Sequence, residues 1–424
     1  MANNLFLDET IYAKVFLLLL KNQLVAARLV DGQFKNELTD ENGLTVNIKR
    51  PPQFVAQDGE ALKLQSVVAG SVPVLVDQYK NVHLDVGDLE SVQSYNALME
   101  NESMLAATSE LAQTIDGAIL DETLEFASEV GTPGNTIGTP QQFNKVHTRL
   151  MNQSVPNASL NAIVSFEDGE EIRGALIGTN IDGVNRTALE KTRIPILSEI
   201  NLFASNNLRS VVAGDRLEDT GPAIDGAAQN VDYRAVKDTN SQVLDIDGGG
   251  FDATYSRGDT FTVAGVFAVN NRSRQVLPFL KQFVILNDAV ADGAGLVALT
   301  ISPPMIVGGT SDGVGATPTL VNTAFQTISA IPADGAAIVF NTAPGAITPI
   351  RTAFHKRAIS LVSAKLRTPF TGVATFVSDP DTGIGIRYWR GSDITTGRHI
   401  HRWDTIFGVQ MVQPELGARV NGSS

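Results

Sequence analysis

The most informative stretch of this chain is Ser94–Val130, which has the sequence SYNALMENESMLAATSELAQTIDGAILDETLEFASEV. It carries eight acidic residues and no Lys or Arg. Its apolar residues recur at steps of three, four and seven, at Leu98, Leu105, Ala112, Ile115, Ile119 and Phe126. This spacing is typical of a helix with one buried stripe. We therefore predict one unbroken helix about 55 Å long, because each helical residue adds about 1.5 Å.

The charge of this helix allows two interpretations. It can be a solvated helix of a large enzyme, or it can face a basic surface elsewhere. Between Arg351 and Arg402 there are 9 Lys or Arg and 3 Asp, a net charge of +6. Complementary charges far apart in sequence can orient subunits as well as pair within a monomer. We therefore treat this basic region as a candidate partner of the acidic helix.

Composition limits the class of protein. With 424 residues and 43% hydrophobic content, the chain can form two or three domains with substantial cores. The net charge of −14 argues against a protein that grips nucleic acid, although it does not exclude one that encloses DNA. The absence of Cys excludes disulfides, thiolate metal sites and a thiol nucleophile.

The N-terminal region predicts a buried helix rather than a membrane or targeting segment. Val15–Leu20 is too short to span a bilayer, since a spanning helix needs about 20 apolar residues. Asp8 and Glu9 stand where a signal peptide would be basic. We expect Asp8–Val30 to be a helix that is apolar nearly all round. Its own domain or a neighbouring subunit has to cover it.

Two extended segments follow this helix. Thr45–Arg50 and Val74–Asp88 both alternate apolar and polar residues, as half-buried strands do. The simplest arrangement is a long two-stranded arm. Such an arm is marginally stable alone in water, so we expect it to pack against something else.

The middle of the chain changes character twice. An α/β unit is predicted from helices at Gln141–Asn152 and Gly169–Ile177 and strands at Asn161–Phe166 and Ile200–Ala204. From Gly214 to Gly335 there are 13 Asp but 1 Glu, and Asp favours turns. This region therefore predicts a small antiparallel barrel or sandwich, with strand clusters at Phe251–Val269 and Phe283–Ile301. Past Gly335 we expect the α/β unit to resume, with strands at Ala337–Asn341 and Ala358–Leu366 and a hairpin of Ile384–Arg390 with Arg398–Ile406.

No strong catalytic constellation is present, and the chain is not expected to be an enzyme or to need a cofactor. His399 and His401 would share one face of a strand, which makes them weak metal candidates, but no third ligand has matching spacing. Arg257-Gly258-Asp259 is interpreted as a hairpin turn. The acids at 167, 168, 170 and 171 are interpreted as capping residues at a helix N-terminus.

The order of these parts resembles the major capsid protein of tailed bacteriophages. RGDTFTVAGV at Arg257–Val266 resembles a strand pair of the β-barrel insertion in the short-tailed Salmonella phage coat proteins. Ser205–Leu208 (SNNL) and the terminal HRWDTIFGVQMVQPELGARV are also similar to this group. The resemblance implies an α+β fold of the Hong Kong phage type, with N-arm, extended loop, peripheral domain with a long spine helix, axial domain and an inserted antiparallel β-barrel.

The implied divisions of the chain follow that scheme. They are a helical N-arm at 1–44, an extended loop hairpin and peripheral strands at 45–88, a spine helix at 89–138, the first part of the axial domain at 139–213, a β-rich insertion at 214–335, and the closing axial and peripheral part at 336–424.

The resemblance implies a shell of hexamers and pentamers that encloses double-stranded DNA without sequence-specific binding and without a membrane. Scaffolding and portal proteins are expected partners, and a decoration protein is an option. Assembly would occur in the host bacterial cytoplasm, and the mature location would be the virion. The alternatives are an encapsulin-like compartment shell and, more remotely, a hydrolase with an undetected acid pair.

Candidate contacts between subunits fall on three segments. We expect the loop Arg50–Gly70 to overlap a neighbour, and the N-arm helix to move during maturation. Some relatives crosslink a loop Lys, and Lys63 lies in that region, but no Asn or Glu partner can be assigned. The candidate contact residues are Arg50, Gln57, Lys63, Glu110, Asp121, Glu125, Arg398 and Arg402.

Overall fold

The structure is a computed structural model. It describes residues 9–33, 44–56, 59–60, 65–87, 102–177, 196–216, 221–309, 320–367, 369, 373–393 and 398–423. The chain forms two compact units. Unit 1 comprises Met1–Ile48, Pro73–Glu122 and Ile359–Gln410, and unit 2 comprises Lys49–Val72, Thr123–Ala358 and Met411–Ser424.

The described elements mix helices with a larger number of strands. The helices are α1 (Glu9–Gln23), α2 (Glu102–Glu122), α3 (Gln141–Asn152), α4 (Phe166–Ile177), α5 (Tyr233–Val236) and α6 (Leu320–Ala324). The strands are β1 (Thr45–Lys49), β2 (Ser71–Leu75), β3 (Gln78–Gly87), β4 (Glu129–Val130), β5 (Leu160–Val164), β6 (Ile200–Ala204), β7 (Ser210–Val212), β8 (Ala223–Ile224), β9 (Gln242–Asp247), β10 (Thr254–Tyr255), β11 (Thr260–Val269), β12 (Val276–Ile285), β13 (Ala289–Val290), β14 (Val297–Ser302), β15 (Ile338–Phe340), β16 (Ile347–Pro349), β17 (Thr352–His355), β18 (Ile359–Ser363), β19 (Val373–Ser378), β20 (Gly385–Asp393), β21 (Arg398–Met411) and β22 (Gly417–Val420).

Unit 1 covers the apolar N-terminal helix with its own sheet. In α1, Phe16 stacks on Trp403 of β21 with ring centroids 4.7 Å apart. Tyr12 stacks on Tyr388 of β20 at 5.6 Å. Phe16, Trp403 and Tyr388 are almost fully buried. We expected this helix to be covered by its own domain or by a neighbouring subunit, and the structure shows that its own domain covers it. The helix ends at Gln23, and a 3-10 turn follows at Ala26–Arg28.

The long acidic helix is shorter than predicted. It ends at Glu122, and a 3-10 turn follows at Thr123–Glu125. The prediction of unbroken helix to Val130 is wrong because Glu129 and Val130 form β4, parallel to Arg419 and Val420 of β22. The prediction for Ser94–Asn101 lies outside the described residues.

The predicted apolar stripe is also only partly correct. Ala112, Ile115 and Ile119 of α2 are buried, but Leu105 is 37% exposed. The buried apolar residues in that first part of the helix are Met104 and Ala107 instead. No helix among the described residues is both long and apolar enough to cross a membrane.

The predicted arm divides between two pairings. β1 pairs with β2. The longer strand β3 instead pairs antiparallel with β21, with Val82 opposite Trp403. The prediction of a single two-stranded arm is therefore wrong, because β3 pairs along its length with β21 near the C-terminus. The predicted hairpin between β20 and β21 is confirmed, with Arg390 opposite His401.

Unit 2 contains a five-stranded mixed sheet in the order β4-β22-β17-β5-β6. Phe143 and Val146 of α3 are fully buried in its core, together with Ile172 of α4. The predicted bounds of α3 and β6 are confirmed. Helix α4 begins at Phe166, earlier than predicted, because Ser165 caps it.

Unit 2 also contains the predicted antiparallel barrel. Its strands lie in the order β15-β11-β12-β14-β9-β8. A bridge between Ala223 and Ala337 nearly closes the sheet on itself. Phe261 and Phe283 fill its interior with ring centroids 5.7 Å apart. The assignment of the strand at Ala337–Asn341 to the resumed α/β unit is wrong, because β15 pairs with β11 as the sixth barrel strand.

Candidate functional site

A buried polar cluster joins the barrel to the five-stranded sheet in unit 2. The Glu129 carboxylate accepts hydrogen bonds from Thr260 Oγ1 at 2.5 Å, Asn341 Nδ2 at 3.1 Å and Asn421 Nδ2 at 2.7 Å. The Glu129 backbone N–H also donates to Gln282 Oε1 at 2.8 Å. Since a charged acceptor strengthens each bond, Glu129 fixes both layers at one point.

Arg419 provides a second anchor beside this cluster. Its Nη1 donates to the carbonyl oxygen of Gly258 at 2.7 Å, and its Nη2 donates to that of Leu124 at 2.6 Å. Burial lowers the pKa of the Arg419 guanidinium. The side chain therefore bridges the end of the helical segment and a barrel turn.

The Arg-Gly-Asp motif forms that turn. Gly258 adopts a φ of +95°, which glycine tolerates best. Asp259 is buried, and its Oδ2 accepts from the Gly214 N–H at 2.9 Å. Burial raises the pKa of Asp259. The turn prediction is confirmed, but the segment is not a hairpin, because β10 pairs with β13 rather than with β11.

The acid cluster at the start of α4 contains a buried ion pair. Asp168 accepts from the Ser165 N–H at 3.1 Å, and the Asp168 N–H donates to Ser165 Oγ at 3.0 Å. This reciprocal pair is a capping box, which confirms the capping role of Asp168. Asp168 also pairs with the buried guanidinium of Arg351, a partner that no local sequence pattern predicted.

The basic hairpin of β20 and β21 in unit 1 contains an acidic residue that pairs with its arginines. Asp404 is fully buried and accepts from Arg402 Nε at 2.6 Å and Arg387 Nη2 at 2.5 Å. Both guanidinium groups also donate to the Tyr79 hydroxyl, at 3.0 and 3.1 Å. The hydrogen bond to Asp404 raises the pKa of Arg402. Arg387 and Arg402, like Arg351, thus pair with acidic residues that lie outside the long helix.

His401 is placed in an aromatic cluster rather than with acids. Its Nδ1 lies 2.6 Å from the Tyr388 hydroxyl, and its ring lies 5.4 Å from that of Tyr12. The side chain of its candidate partner, His399, lies outside the described residues. Within the described part of the chain, no three His, Asp or Glu side chains group as metal ligands.

The candidate contact residues occupy different environments. Arg50 is buried, and its guanidinium donates to the carbonyl oxygens of Val412 at 2.8 Å and Lys237 at 3.1 Å. Glu110 is exposed, Asp121 is half-buried, and Glu125 pairs with Arg257 at 3.5 Å. Gln57, Lys63 and the Arg398 side chain lie outside the described residues. The structure thus gives Arg50 a role within the chain.

Comparisons with known proteins give a family and several structural matches. A family model described as "P22 coat protein - gene protein 5" matches residues 1–422. A Mycobacterium phage Che8 structure has 13% identity and a TM-score of 0.45, covering 94% of this chain and 90% of that chain. The capsid of Ralstonia phage GP4 has 7% identity and a TM-score of 0.42, covering 94% and 89%. A CUS-3 coat protein I-domain has 23% identity and a TM-score of 0.20, covering 29% of this chain and 97% of that chain. A comparison with curated proteins finds no match.

Proposed function

The chain belongs to the P22 coat protein family, and from that premise we propose how this major capsid protein builds its shell. The observation that carries the function is the family match over residues 1–422. Copies of the chain assemble into a multimeric phage head shell. The virion is therefore its location.

The finer organisation of that shell is part of the proposal. Hexamers and pentamers enclose double-stranded DNA, and a scaffolding protein and a portal take part in assembly in the host cytoplasm. A decoration protein can bind the outside. The net charge of −14 supports a wall that does not hold DNA tightly.

The extended loop is the proposed overlap between subunits. Phe54 is 53% exposed and Val67 is 68% exposed. Apolar side chains so exposed on one loop are typical of a surface that a partner covers. Movement of the N-arm helix during maturation and a contact of Lys63 with a neighbouring subunit remain predictions. So do the divisions at 1–44, 45–88, 89–138, 139–213, 214–335 and 336–424.

The family favours a phage coat over an encapsulin-like compartment shell. A coat protein family is one of structural proteins, so the family match offers no support for a hydrolase.

Assembly of the purified full-length chain tests this proposal. We would compare wild type with Phe54→Ser/Val67→Ser by sedimentation, with and without a scaffolding partner. The matched control is Val243→Ser/Val339→Ser, since these barrel residues are 60% and 59% exposed. We expect closed particles from wild type and from the control, and unassembled folded subunits from the loop variant. Equal assembly by wild type, loop variant and control would contradict the proposed overlap of the loop. If wild type formed only monomers, the proposed shell would be contradicted.

A further inference from the structure

Two adjoining cavities lie in unit 2 between α3, β12 and the C-terminal turn. The first has a volume of about 30 Å³ and is lined by Arg149, Gln153, Ser128, Lys281 and Glu415. The second has a volume of about 60 Å³. Lys281 and Glu415 line both. These volumes count the space open to the centre of a water-sized sphere, and one water needs roughly 10–15 Å³ of it. The first cavity alone therefore has room for about two waters.

Two cationic side chains line these cavities without an acidic partner. The Arg149 guanidinium lies 3.7 Å from the ring centroid of Phe279, and the described residues supply no hydrogen-bond acceptor for it. The Lys281 amine likewise has no ion-pair partner within 4.0 Å among the described residues. Glu415 is the nearby acid, but it acts on Lys281 only at longer range. The lining therefore carries an excess of positive charge.

Neutral polar atoms around the same space also lack partners. Ser128 and Gln153 line the first cavity, and Ser128 Oγ and Gln153 Oε1 have no hydrogen-bond partner in the described chain. Asn240 lines the second cavity, and its Nδ2 likewise has no hydrogen-bond partner in the described chain. A buried polar atom left unpaired costs about 1–3 kcal/mol, so these atoms indicate polar occupants of the two cavities. Ser128 Oγ and Asn240 Nδ2 can donate to an oxyanion, whereas Gln153 Oε1 accepts only and needs a donor such as water.

We propose that this cavity binds a small oxyanion, either a tetrahedral anion such as phosphate or a carboxylate, between Lys281 and Arg149. The two cations supply charge-assisted hydrogen bonds. Ser128 supplies a neutral donor in the first cavity, and Asn240 supplies one in the adjoining cavity. The site is separate from shell assembly and goes beyond the proposed function.

The chemistry of Lys281 makes the site sensitive to pH. Burial lowers the pKa of its amine to about 8. The charged groups that face it are Glu415 and Arg149, and Arg50 lines the adjoining cavity. Lys281 is the group that loses its charge between pH 7 and pH 9. Affinity for an anion of constant charge should then fall about tenfold, since the protonated fraction falls from about nine-tenths to about one-tenth.

Isothermal titration calorimetry on the unassembled full-length chain tests the site. Sulfate represents the tetrahedral anions, acetate the carboxylates, and chloride controls for ionic strength. The variants are Lys281→Met, which removes the charge, and Lys281→Arg, which keeps it at pH 9. Lys145→Met, on the exposed face of α3, is the matched control. Circular dichroism establishes that each variant is folded.

We expect sulfate or acetate to bind wild type and Lys145→Met equally, and Lys281→Met at least about tenfold more weakly. Lys281→Arg should keep its affinity at pH 9, where wild type loses it. The anion that binds more tightly identifies the class. Absence of binding beyond that of chloride, or equal binding by Lys281→Met, would overturn the site. Neither result depends on whether the chain forms shells.

Discussion

The Asp116 carboxylate on α2 accepts a hydrogen bond from the backbone N–H of Val25 at 2.7 Å. Its other oxygen accepts from the Ala27 N–H at 3.0 Å. Both donors lie just after α1, where the chain has left the helix. Within unit 1, Asp116 therefore attaches the segment that follows α1 to helix α2. Burial raises the pKa of Asp116, and these backbone donors oppose that shift.

Asp116→Ala should leave two backbone donors without acceptors. We expect the free energy of unfolding to fall by about 2–4 kcal/mol. Hydrogen exchange at the Val25 and Ala27 amides should accelerate. Glu110→Ala is the control, because Glu110 lies exposed on the same helix and should change stability by less than about 0.5 kcal/mol. Equal effects of the two variants would show that the attachment is unimportant.

Gly417→Ala should disrupt the core of unit 2. A Cβ at Gly417 would lie 2.1 Å from the Phe126 ring, which is itself fully buried. The overpacking should destabilise the fold by about 1–3 kcal/mol or more and lower the midpoint of thermal unfolding. Gly391→Ala is the matched control in a strand, since a Cβ there meets nothing within 4 Å. Unchanged unfolding of Gly417→Ala would contradict the close packing.

Lys281→Met should stabilise the unliganded chain at pH 7. Burial lowers the pKa of Lys281 to about 8, so the folded state binds this proton more weakly than the unfolded state. Wild type should therefore gain stability relative to Lys281→Met as pH rises from about 8 to 10. Chemical denaturation at pH 7 and pH 10 measures the difference. A gap that widens with pH would show that the sign is wrong.

The barrel should fold alone only when the strands that flank residues 214–335 are kept with it. Fragment 214–335 lacks β15. It also lacks the β7–β16 ladder that joins residues 210–212 to 347–349. We expect fragment 210–349 to unfold cooperatively, whereas 214–335 should not. Denaturation followed by circular dichroism tests both. Cooperative unfolding of the shorter fragment would show that the sixth strand is dispensable.

The acids on and just after α2 should support assembly electrostatically. The test variant combines Glu110→Gln, Asp121→Asn and Glu125→Gln, and the control combines Asp245→Asn, Asp252→Asn and Asp334→Asn in the barrel. Single exposed pairs are worth about 0–1 kcal/mol, but repetition around a shell multiplies them. The test variant should assemble poorly at low salt, and its difference from wild type should shrink as salt increases. Unchanged yield and salt response would mean that these acids take no part in contacts between copies.

Local sequence patterns predicted the elements that local chemistry controls. Helix α3 and strand β6 have their predicted bounds, and β20 pairs with β21 as expected. The Asp-rich composition correctly indicated an antiparallel barrel, since Asp favours turns between short strands.

The errors arise where a distant partner decides the structure. The helix stops before Glu129 because β22, at the other end of the chain, pairs with that residue. Likewise β3 pairs with β21 instead of completing an arm. The polar anchors at Glu129 and Arg419 gave no local signal, because Glu129 and Asn421 are 292 positions apart. The contact residues remain predictions, since a contact between copies depends on a second surface that no local pattern specifies.

Electron cryomicroscopy of particles from the purified full-length chain shows directly whether its copies form a coat shell with overlapping loops. We expect closed icosahedral shells, in which density for residues 50–70 of each copy lies over a neighbouring copy. Particles with that loop folded on its own subunit would contradict the proposed overlap. A protein that remains monomeric under all assembly conditions, with a scaffolding partner included, would contradict its role as a shell-forming coat protein.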